Sequence, residues 1–252
     1  MTGWLELAGR AVLVAGAGGI GRACIDGLVA EGARVLAVDS DQQALEKLHT
    51  DPAFHAAGGQ IFHADLRDPQ RCRDAVAAAQ QTFGRLDVLI HAVGVNDRRP
   101  VLELTDADWD RVLSVNLSSA FHLGQAAGRV MCAQRGGRIV FVSSVSGALA
   151  HRLHAPYAAS KGGLNQLLKV MAHEWAEAGV AVNAVAPGYL ETPLTEQYLA
   201  KPGVRAGLEA MVPAGRLGTV HDIVNPALFL ASSRATFVTG HVMYVDGGRT
   251  LV

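Results

Sequence analysis

Tyr157 and Lys161 stand four residues apart, in a stretch of sequence that could perform acid/base chemistry. Pro156 can open a helix there, because its fixed φ suits the first turn and its missing N–H costs nothing. Apolar side chains continue at helical spacing, at Leu164, Leu168, Met171 and Trp175. Residues four apart share a helix face, so the lysine ammonium would lie one turn from the phenol. Its charge would lower the phenol pKa from about 10 towards the working pH, where proton transfer is efficient. The alternative is an ordinary exposed amphipathic pair.

Ser144 could assist the same chemistry from the end of a strand. The segment from Arg138 to Ser144 is a short β-branched and aromatic apolar run, bounded by glycines on both sides. Such a run is typical of a buried parallel strand. A hydroxyl at its end could donate a hydrogen bond to the substrate oxygen that exchanges a proton with Tyr157.

A glycine loop near the start of the chain predicts a dinucleotide site. An apolar strand from Arg10 to Ala15 leads into the loop, and helix-compatible sequence follows from Arg22 to Ala30. Glycines let the backbone turn sharply and approach a pyrophosphate, while the helix N-terminus supplies N–H donors and a favourable dipole. The predicted contacts are Gly16, Gly18, Gly19, Ile20 and Gly21.

Asp39 ends the second strand, close to the distance expected for an acid that binds the adenosine ribose hydroxyls. A carboxylate there would repel a 2′-phosphate, and Asp41 would add to the repulsion. The sequence therefore favours NAD over NADP. Arg22 is the one cation that could complicate this, and we interpret it as a helix-terminal residue facing solvent or the pyrophosphate. The alternative for Asp39 is an N-cap of a helix from Gln42 to His49.

Strands and helices alternate along the rest of the chain. We predict further strands at Gln60–Ala64, Leu86–Ile90, Val180–Val185 and Val242–Val245, and helices at Pro69–Phe83, Asp106–Gln134, Pro156–Ala178 and His221–Ser232. This pattern indicates an α/β fold, a single-domain Rossmann-like doubly wound parallel β-sheet with helices on both faces, over residues 1–252. Asn116 falls in the middle of one predicted helix, where a buried amide must find structural or catalytic partners.

Composition excludes several classes of protein. Half of the 252 residues are hydrophobic and 18% are charged, which supports a large core rather than disorder. The formal net charge is −1 without a basic block, so a nucleic-acid surface has no electrostatic support. The three cysteines, Cys24, Cys72 and Cys132, are scattered, which predicts a reduced compartment and no metal site. The first residues lack a basic leader region, and no apolar run approaches the ~18 residues of a membrane span. We expect a soluble, cytoplasmic protein.

The accumulated motifs resemble the short-chain dehydrogenase/reductase family over nearly the whole chain. They occur in family order: the glycine loop, Asp65-Leu66, Ala92-Val93-Gly94, Asn116, Ser144, Tyr157, Lys161, Asn183 and Pro187-Gly188. The ordered set is far more specific than any one of its members.

The resemblance implies a role for each of these residues. Tyr157 would be the acid/base, Ser144 would polarise the carbonyl oxygen, and Lys161 would bind the nicotinamide ribose and lower the tyrosine pKa. Asn116 would hold the water chain that reloads the proton. Asp65 would approach the adenine, and Thr192 would bind the carboxamide. The cofactor-binding residues implied beyond the glycine loop are Asp39, Asp65, Leu66, Ala92, Gly94, Tyr157, Lys161, Pro187, Gly188 and Thr192.

Two departures from the family pattern stand out. The loop from Ala15 to Gly21 has one residue fewer than the usual Thr-Gly-x-x-x-Gly-x-Gly and lacks its threonine. The usual Asn-Asn-Ala-Gly reads His91-Ala-Val-Gly94, which removes an amide near the adenosine side. We expect dinucleotide binding to survive both, and neither touches the proton relay.

A weaker resemblance concerns the substrate. The run Gly94-Val-Asn-Asp-Arg-Arg-Pro100 is similar to sugar-acid members of the family such as gluconate 5-dehydrogenase, and arginines beside a cleft could pair with a carboxylate. Alternatively, Arg98 and Arg99 lie in a solvated loop or a subunit contact. His151 and His154 could line the pocket, although a surface loop is the simpler interpretation.

We therefore predict an NAD(H)-dependent oxidoreductase that interconverts a secondary alcohol and a ketone, on a sugar acid or polyol. The alternatives are a 3-oxoacyl thioester or steroid-like ketone reductase and, in another class, a non-catalytic dinucleotide-binding sensor or scaffold. Family members are commonly tetramers, so we expect a homotetramer in which two long helices meet a partner. The residues predicted to face that partner are Val112, Leu123, Ala126, Leu167, Val170 and Ala178.

Overall fold

The computed structural model describes residues 3–252, with the side chains of Pro193 and Leu194 left aside. Met1 and Thr2 belong to the first residues of the chain, where the sequence shows no basic leader region, and they lie outside the described residues. Seven strands form one sheet: β1 Ala11–Ala15, β2 Arg34–Asp39, β3 Gln60–His63, β4 Val88–His91, β5 Gly137–Val142, β6 Val180–Pro187 and β7 Val242–Val245. The helices between β1 and β5 are α1 Gly19–Ala30, α2 Gln42–His49, α3 Pro52–Ala56, α4 Pro69–Phe83, α5 Asp106–Leu113 and α6 Ser119–Gln134. Those after β5 are α7 Ala155–Trp175, α8 Pro193–Leu199, α9 Val204–Glu209 and α10 Val220–Ala231.

The sheet is parallel throughout, with the strand order β3-β2-β1-β4-β5-β6-β7. The chain starts in β1, builds outwards to β3, and then returns to β4 on the other side of β1. Such a reversal leaves a crevice at the carboxyl ends of the two central strands, where ligands bind in open α/β sheets. The predicted single-domain Rossmann-like architecture is confirmed.

The two faces of the sheet belong to two separate hydrophobic cores. In β1, Val12 and Val14 point into the core shared with α1 and α10, while Leu13 and Ala15 point into the core shared with α4, α6 and α7. All the residues of β1 are buried, because a parallel strand covered on both faces has no solvent side. This packing holds the carboxyl ends of the strands, and the loops they carry, in fixed positions.

The predicted helix from Asp106 to Gln134 is present but is not regular. Thr105 and Asp108 form a capping box at the start of α5. A π-helical turn at Ser114–Ser118 then separates α5 from α6. Single π turns inside α-helices frequently mark functional sites, and Asn116 lies at the centre of this one.

Part of the predicted subunit surface is wrong. Val112, Leu123 and Ala126 are buried inside this chain, and Leu123 and Ala126 belong to the core that α6 shares with the sheet. Of the residues named on α7, Val170 is exposed and Leu167 is half-buried. Helical spacing alone does not distinguish a core-facing stripe from a partner-facing one, because both are apolar.

Candidate active site

A cleft of about 540 Å³ runs along the carboxyl ends of the central strands. It is lined by Gly16, Gly18, Gly19, Ile20, Asp39, Ser40, Ala64, Asp65, Leu66, Arg67, Ala92, Val93, Gly94, Val95, Arg111, Val115, Ser119 and Thr192. Ten of the predicted cofactor residues are on its wall. The predicted cofactor residues that do not line the cleft are Gly21, Tyr157, Lys161, Pro187 and Gly188. Lys161 is nevertheless close to the wall, because a Cβ added at Gly94 would lie 3.7 Å from Lys161 Nζ.

The shortened glycine loop still forms a close turn against the neighbouring strand. Gly16 has φ +101°, and a Cβ there would lie 3.2 Å from the carbonyl carbon of Ala92. A Cβ on Gly21 would lie 2.0 Å from the carbonyl oxygen of Gly16. By contrast, a Cβ on Gly18 or Gly19 would meet no described atom within 4 Å, because both face open space. The N-terminus of α1 thus presents backbone donors to room enough for a diphosphate.

Asp39 is oriented by the glycine loop. Its Oδ2 accepts a hydrogen bond from the backbone N–H of Ala17 at 2.7 Å, and its Oδ1 accepts one from Asp41 at 2.9 Å. Asp41, not Asp39, caps α2 by accepting from Gln43 and Ala44, so the N-cap interpretation of Asp39 is wrong. Each carboxylate oxygen keeps a further lone pair for a hydroxyl donor.

The arginines near the adenosine end of the cleft are held by carboxylates. Arg22 pairs with Asp26 at 2.8 Å and with Asp51 at 2.6 Å, so it turns away from the loop. Arg67 forks onto Asp65, with Nε and Nη2 2.9 and 2.6 Å from Oδ2. The hydrogen bond from Arg67 holds the pKa of Asp65 below its ordinary value. Asp65 therefore faces the cleft already paired with a cation, which the sequence did not indicate.

Lys161 is buried and directed at the strand beside it. Its Nζ donates to the carbonyl oxygen of Val142 at 2.8 Å and lies 5.7 Å from the centre of the Tyr157 ring. Burial lowers the pKa of Lys161 to about 8. Ser144, two residues beyond Val142, accepts a hydrogen bond from the N–H of Ser146 at 3.1 Å, and it lies near enough to Tyr157 to lower the pKa of that phenol.

The pKa of Tyr157 moves in the direction opposite to the sequence prediction. Burial raises this pKa, and the opposing effects of the Ser144 hydrogen bond and the Arg98 charge do not reverse it. The reason is that a phenolate loses more by leaving water than one hydrogen bond and a nearby charge restore. The phenol is accordingly protonated in the protein alone.

Asn116 uses its whole amide to join three elements. Its Oδ1 accepts from the N–H of Val95 at 2.8 Å, and its Nδ2 donates to the carbonyl of Val95 at 2.9 Å and to Ser160 Oγ at 3.1 Å. Ser160 Oγ in turn donates to the carbonyl oxygen of Tyr157 at 2.7 Å. The π turn thereby aligns the loop after β4 with the first turn of α7.

His91 replaces the missing family asparagine with a buried, neutral imidazole. Ser119 Oγ donates to the carbonyl of Val115, so it accepts from His91 Nε2 at 2.9 Å. The proton is therefore on Nε2, and Nδ1 is an acceptor with no partner among the described atoms. Burial, aided by the charge of Lys161, lowers the pKa of His91 to about 3.

Arg98 and Arg99 are adjacent in sequence but lie in different environments. Arg99 is paired with Asp97 at 2.6 Å and Asp108 at 2.5 Å, which fixes the loop to α5. Arg98 stacks on the Tyr198 ring, 3.8 Å from its centre, and points Nε at His154 Nε2, 3.2 Å away. Within the described part of the chain it has no carboxylate partner.

His151 and His154 belong to this same wall rather than to a surface loop. Both are half-buried, and their ring centres are 5.9 Å apart. His154 lies 6.1 Å from Tyr157 and His151 lies 5.7 Å from Tyr189. His151 Nδ1 is 2.9 Å from Ser146 Oγ, and its buried Nε2 has no described partner. The solvated-loop interpretation of Arg98 and of both histidines is wrong.

Two further predicted residues, Asn183 and Thr192, hold backbone segments in place. Asn183 accepts from the N–H of His241 and donates to the carbonyl of Val238, which ties β6 to the segment before β7. Thr192 is the N-cap of α8 and also faces the cleft. Between residues 3 and 252 there is no group of three His, Cys, Asp or Glu placed to hold a metal ion.

Comparison with known proteins agrees with the fold. The family model described as enoyl-(acyl carrier protein) reductase matches residues 14–250. The chain is 35% identical to the 3-oxoacyl-acyl-carrier-protein reductase of Escherichia coli, over 98% of this chain and 100% of that protein. It is 38% identical to gluconate 5-dehydrogenase of Gluconobacter oxydans, with 98% and 96% covered. A solved gluconate 5-dehydrogenase from Burkholderia cenocepacia, in complex with NADP and tartrate, has a TM-score of 0.91 at 33% identity, with 97% and 96% covered.

The chain belongs to the short-chain dehydrogenase/reductase family, as its motifs indicated. It is an oxidoreductase of that family acting on CH-OH groups. In the part of the chain that the structure describes, no helix is both long and apolar enough to cross a membrane.

Proposed function

We propose that this protein is an NAD(H)-dependent dehydrogenase that interconverts a secondary alcohol and a ketone on a sugar acid or polyol. The nicotinamide, when bound, would accept or donate the hydride. Tyr157 would take the hydroxyl proton in oxidation and return it in reduction, while Ser144 would hold the same oxygen. The nearness of the two side chains, by which Ser144 lowers the pKa of Tyr157, supports this assignment, because both can then reach one substrate oxygen.

Lys161 and Asn116 would act on the proton rather than on the substrate carbon. The buried ammonium of Lys161 is next to the phenol, and a pKa of about 8 lets it hold or release a proton near neutral pH. Asn116 fixes the backbone between them through Val95 and Ser160. A non-catalytic sensor would need none of this arrangement, which argues against that class.

Arg98 is the observation that carries the choice of substrate. A half-buried guanidinium without a carboxylate partner, next to the proposed acid/base, is suited to bind a carboxylate in a bidentate manner. Its close neighbours are polar or aromatic side chains: His154, Tyr157, Tyr189 and Tyr198. Such a wall suits a hydroxylated acid better than an acyl chain.

The relatives support two candidates. The similarity to 3-oxoacyl-acyl-carrier-protein reductase and the family description favour a thioester reductase, which remains the alternative. The similarity to gluconate 5-dehydrogenases, one of them in complex with tartrate, favours a hydroxy acid. We choose the hydroxy acid because the wall around Arg98 has the polarity to recognise it.

A substrate panel with purified protein tests this choice. Sugar acids, polyols, 3-oxoacyl thioesters and hydroxysteroids are each assayed with NAD(H) and NADP(H) by absorbance of the reduced cofactor. We expect turnover on a sugar acid, and Arg98→Gln to raise its KM at least tenfold. Arg152→Gln, in an exposed position of the nearby loop, is the matched control and should leave KM unchanged. Activity on thioesters alone, unaffected by Arg98→Gln, would overturn the assignment.

NAD is the cofactor we propose, although a similar structure holds NADP. The support is that Asp39 is aimed by Ala17 and Asp41 at the adenosine end of the cleft. The cations on the cleft wall, Arg67 and Arg111, are both paired with aspartates. A cytoplasmic location and a homotetramer complete the proposal; they rest on the cysteine pattern and on the family resemblance.

A further inference from the structure

A second polar cavity, of about 250 Å³, lies at the opposite edge of the sheet from the cleft. Arg10 precedes β1, Asp87 precedes β4, Arg138 is the second residue of β5, and Gly179 precedes β6, so the cavity lies at the amino ends of these strands. It is lined by Arg10, Arg85, Asp87, Val88, Arg135, Gly136, Gly137, Arg138, Gly179, Ala231, Ser232 and Ser233. We call this the basal cavity.

The charges that line the basal cavity are strongly unbalanced. Four guanidinium groups face it with one carboxylate, that of Asp87. Asp87 Oδ1 forms ion pairs with Arg85 Nη2 at 2.7 Å and with Arg10 Nη1 at 3.6 Å, while its Oδ2 accepts a hydrogen bond from the N–H of Ala11 at 2.9 Å. Glu6, in the adjoining cavity, is paired with Arg234. On the lining of the basal cavity itself, four arginines therefore face one carboxylate.

Arg138 is the least satisfied of the four arginines. Its Nη1 donates to the carbonyls of Gly137 at 2.8 Å and Gly179 at 3.3 Å, but its buried Nε has no partner among the described atoms. No described carboxylate lies within salt-bridge distance of it. Burial, together with the charge of Arg10, lowers the pKa of Arg138. A buried donor without an acceptor is costly, and an anion in the cavity would remove that cost.

We propose that the basal cavity binds a small oxyanion with at least two negative charges, such as the phosphate group of a phosphorylated or diphosphate-bearing molecule. Guanidinium groups present planar pairs of N–H donors that match phosphate oxygens, and Arg138 Nε is a donor without a hydrogen-bond partner among the described atoms. Ser232 and Ser233 line the same wall, although their hydroxyls already donate to the Phe229 carbonyl and to Glu6. The concave shape and the small volume favour a single anionic group over a protein surface.

This site is separate from the proposed active site. Arg138 and Ser144 lie towards opposite ends of β5, six residues apart, which corresponds to about 20 Å of extended chain. The bound anion would therefore touch neither substrate nor cofactor. Its expected effect is to stabilise the folded state by mass action, so it can be detected without an activity assay, and its failure would not bear on the proposed reaction.

Thermal unfolding with sodium pyrophosphate tests the proposal, against sodium chloride at matched ionic strength and with saturating NADH present, so that pyrophosphate does not act at the glycine loop. At about ten times its Kd, pyrophosphate should raise the Tm of the wild type by roughly 3–6 °C for a chain of this size. Arg138→Met should abolish most of this gain. Arg73→Gln removes the same charge from an exposed site where the side chain contacts only Gln70, and it should keep the gain.

A second variant protects the test against a folding defect in Arg138→Met. Arg10 is partly exposed and makes one long ion pair, so Arg10→Gln should fold normally and still weaken pyrophosphate binding at least threefold by calorimetry. Its kcat/KM without pyrophosphate should equal that of the wild type. If the wild type gains no more from pyrophosphate than from chloride, or if Arg10→Gln and Arg73→Gln respond alike, the basal cavity is not an anion site.

Discussion

At the scale of single residues, opposing effects act on the pKa of Tyr157. Burial raises its pKa, while hydrogen bonding to Ser144 and the charge of Arg98 lower it. In the oxidation direction the enzyme must therefore bring additional positive charge to the phenol before it can accept a proton. Lys161, buried beside it, and the positively charged oxidised nicotinamide are the groups that could supply this charge.

Tyr157→Phe is expected to abolish turnover and to leave cofactor affinity within a few fold. Phenylalanine keeps the ring and removes only the group that carries the proton. Steady-state kinetics together with fluorescence titration of NADH measure both quantities. Lys161→Ala, by contrast, should weaken both turnover and cofactor binding, because we assign it two roles. Substantial activity in Tyr157→Phe would remove the tyrosine from the proposed mechanism.

Asp39→Ala is expected to reduce the preference of the enzyme for NAD(H) over NADP(H). We expect the wild type to favour NAD(H) over NADP(H) by at least tenfold in kcat/KM, about 1.4 kcal/mol. The variant loses the carboxylate that repels a 2′-phosphate, so the ratio should fall. Asp41→Asn retains an N-cap for α2 and serves as the control, with a smaller change in the ratio. Equal use of NADPH and NADH by the wild type would contradict the role given to Asp39.

His91 makes stability depend on pH in a definite direction. In the unfolded chain its imidazole binds a proton near pH 6.5, whereas in the folded protein burial lowers its pKa to about 3. Below pH 6.5 the unfolded state therefore binds more protons, and stability falls as the pH drops towards 3. His91→Asn should flatten the decline between pH 6.5 and 5 in urea unfolding measurements. The exposed His173→Asn is the control and should leave the slope as it is in the wild type.

At the scale of secondary structure, the contact between α6 and α7 depends on a glycine. A Cβ on Gly128 would lie 2.6 Å from the indole ring of Trp175, at the end of α7. Gly128→Ala should therefore destabilise the protein by about 1–3 kcal/mol, because the ring must shift within a packed interior. The matched control is Gly207→Ala, in α9, where a Cβ would meet nothing within 4 Å. It should be neutral or stabilise by up to about 1 kcal/mol. Chemical denaturation of both variants compares them directly.

The elements that the sequence predicted well are those defined by local rules. The proline that opens α7 and the apolar strands depend on residue type and spacing. The π turn at Ser114–Ser118 was not predicted from the sequence, which was interpreted as one continuous helix. The five-residue helix α3 was also missed, being too short to display a period.

The site was predictable where its chemistry needs a particular residue type. Tyr157, Lys161 and Ser144 could be placed in sequence for that reason. Arg98 and Arg99 could not be told apart, because their difference comes from Asp97 and Asp108, which the fold brings beside only one of them. Ser160, Tyr198 and the buried His91 were missed for the same reason. Only Ser160 had a signal in the sequence: it is a serine within a predicted helix, and its hydroxyl there must donate to a backbone carbonyl.

At the scale of the whole molecule, one face of α6 and α7 is left partly apolar. A shallow groove of about 440 Å³ is lined by Leu117, Ser118, Phe121, His122, Gly163, Gln166, Leu167 and Val170. Phe121 and Val170 are exposed there. Surfaces of this kind on a folded protein commonly take part in association, which supports the proposed tetramer.

Light scattering at micromolar concentration should give the mass of a tetramer for the wild type. Val170→Asp places a charge in the middle of the groove and should shift the population to smaller species. Leu102→Asp is a suitable control, because Leu102 is fully exposed in the loop after β4 and lies outside the groove. A monomeric wild type would contradict the proposal, and so would dissociation by both substitutions to the same extent.

The strand order divides the chain into two parts, which meet in the sheet at one pair of strands. The chain before β4 forms one flank of the sheet, with the glycine loop and Asp39, and the chain from β4 onwards forms the other, with Ser144, Tyr157 and Arg98. In the sheet the two flanks meet through one strand pair, β1 with β4. Selection for a different redox carrier and selection for a different metabolite can therefore act on separate stretches of the gene. In such a protein, recombination near the codons for residues 84–87 would exchange one property while inheriting the other.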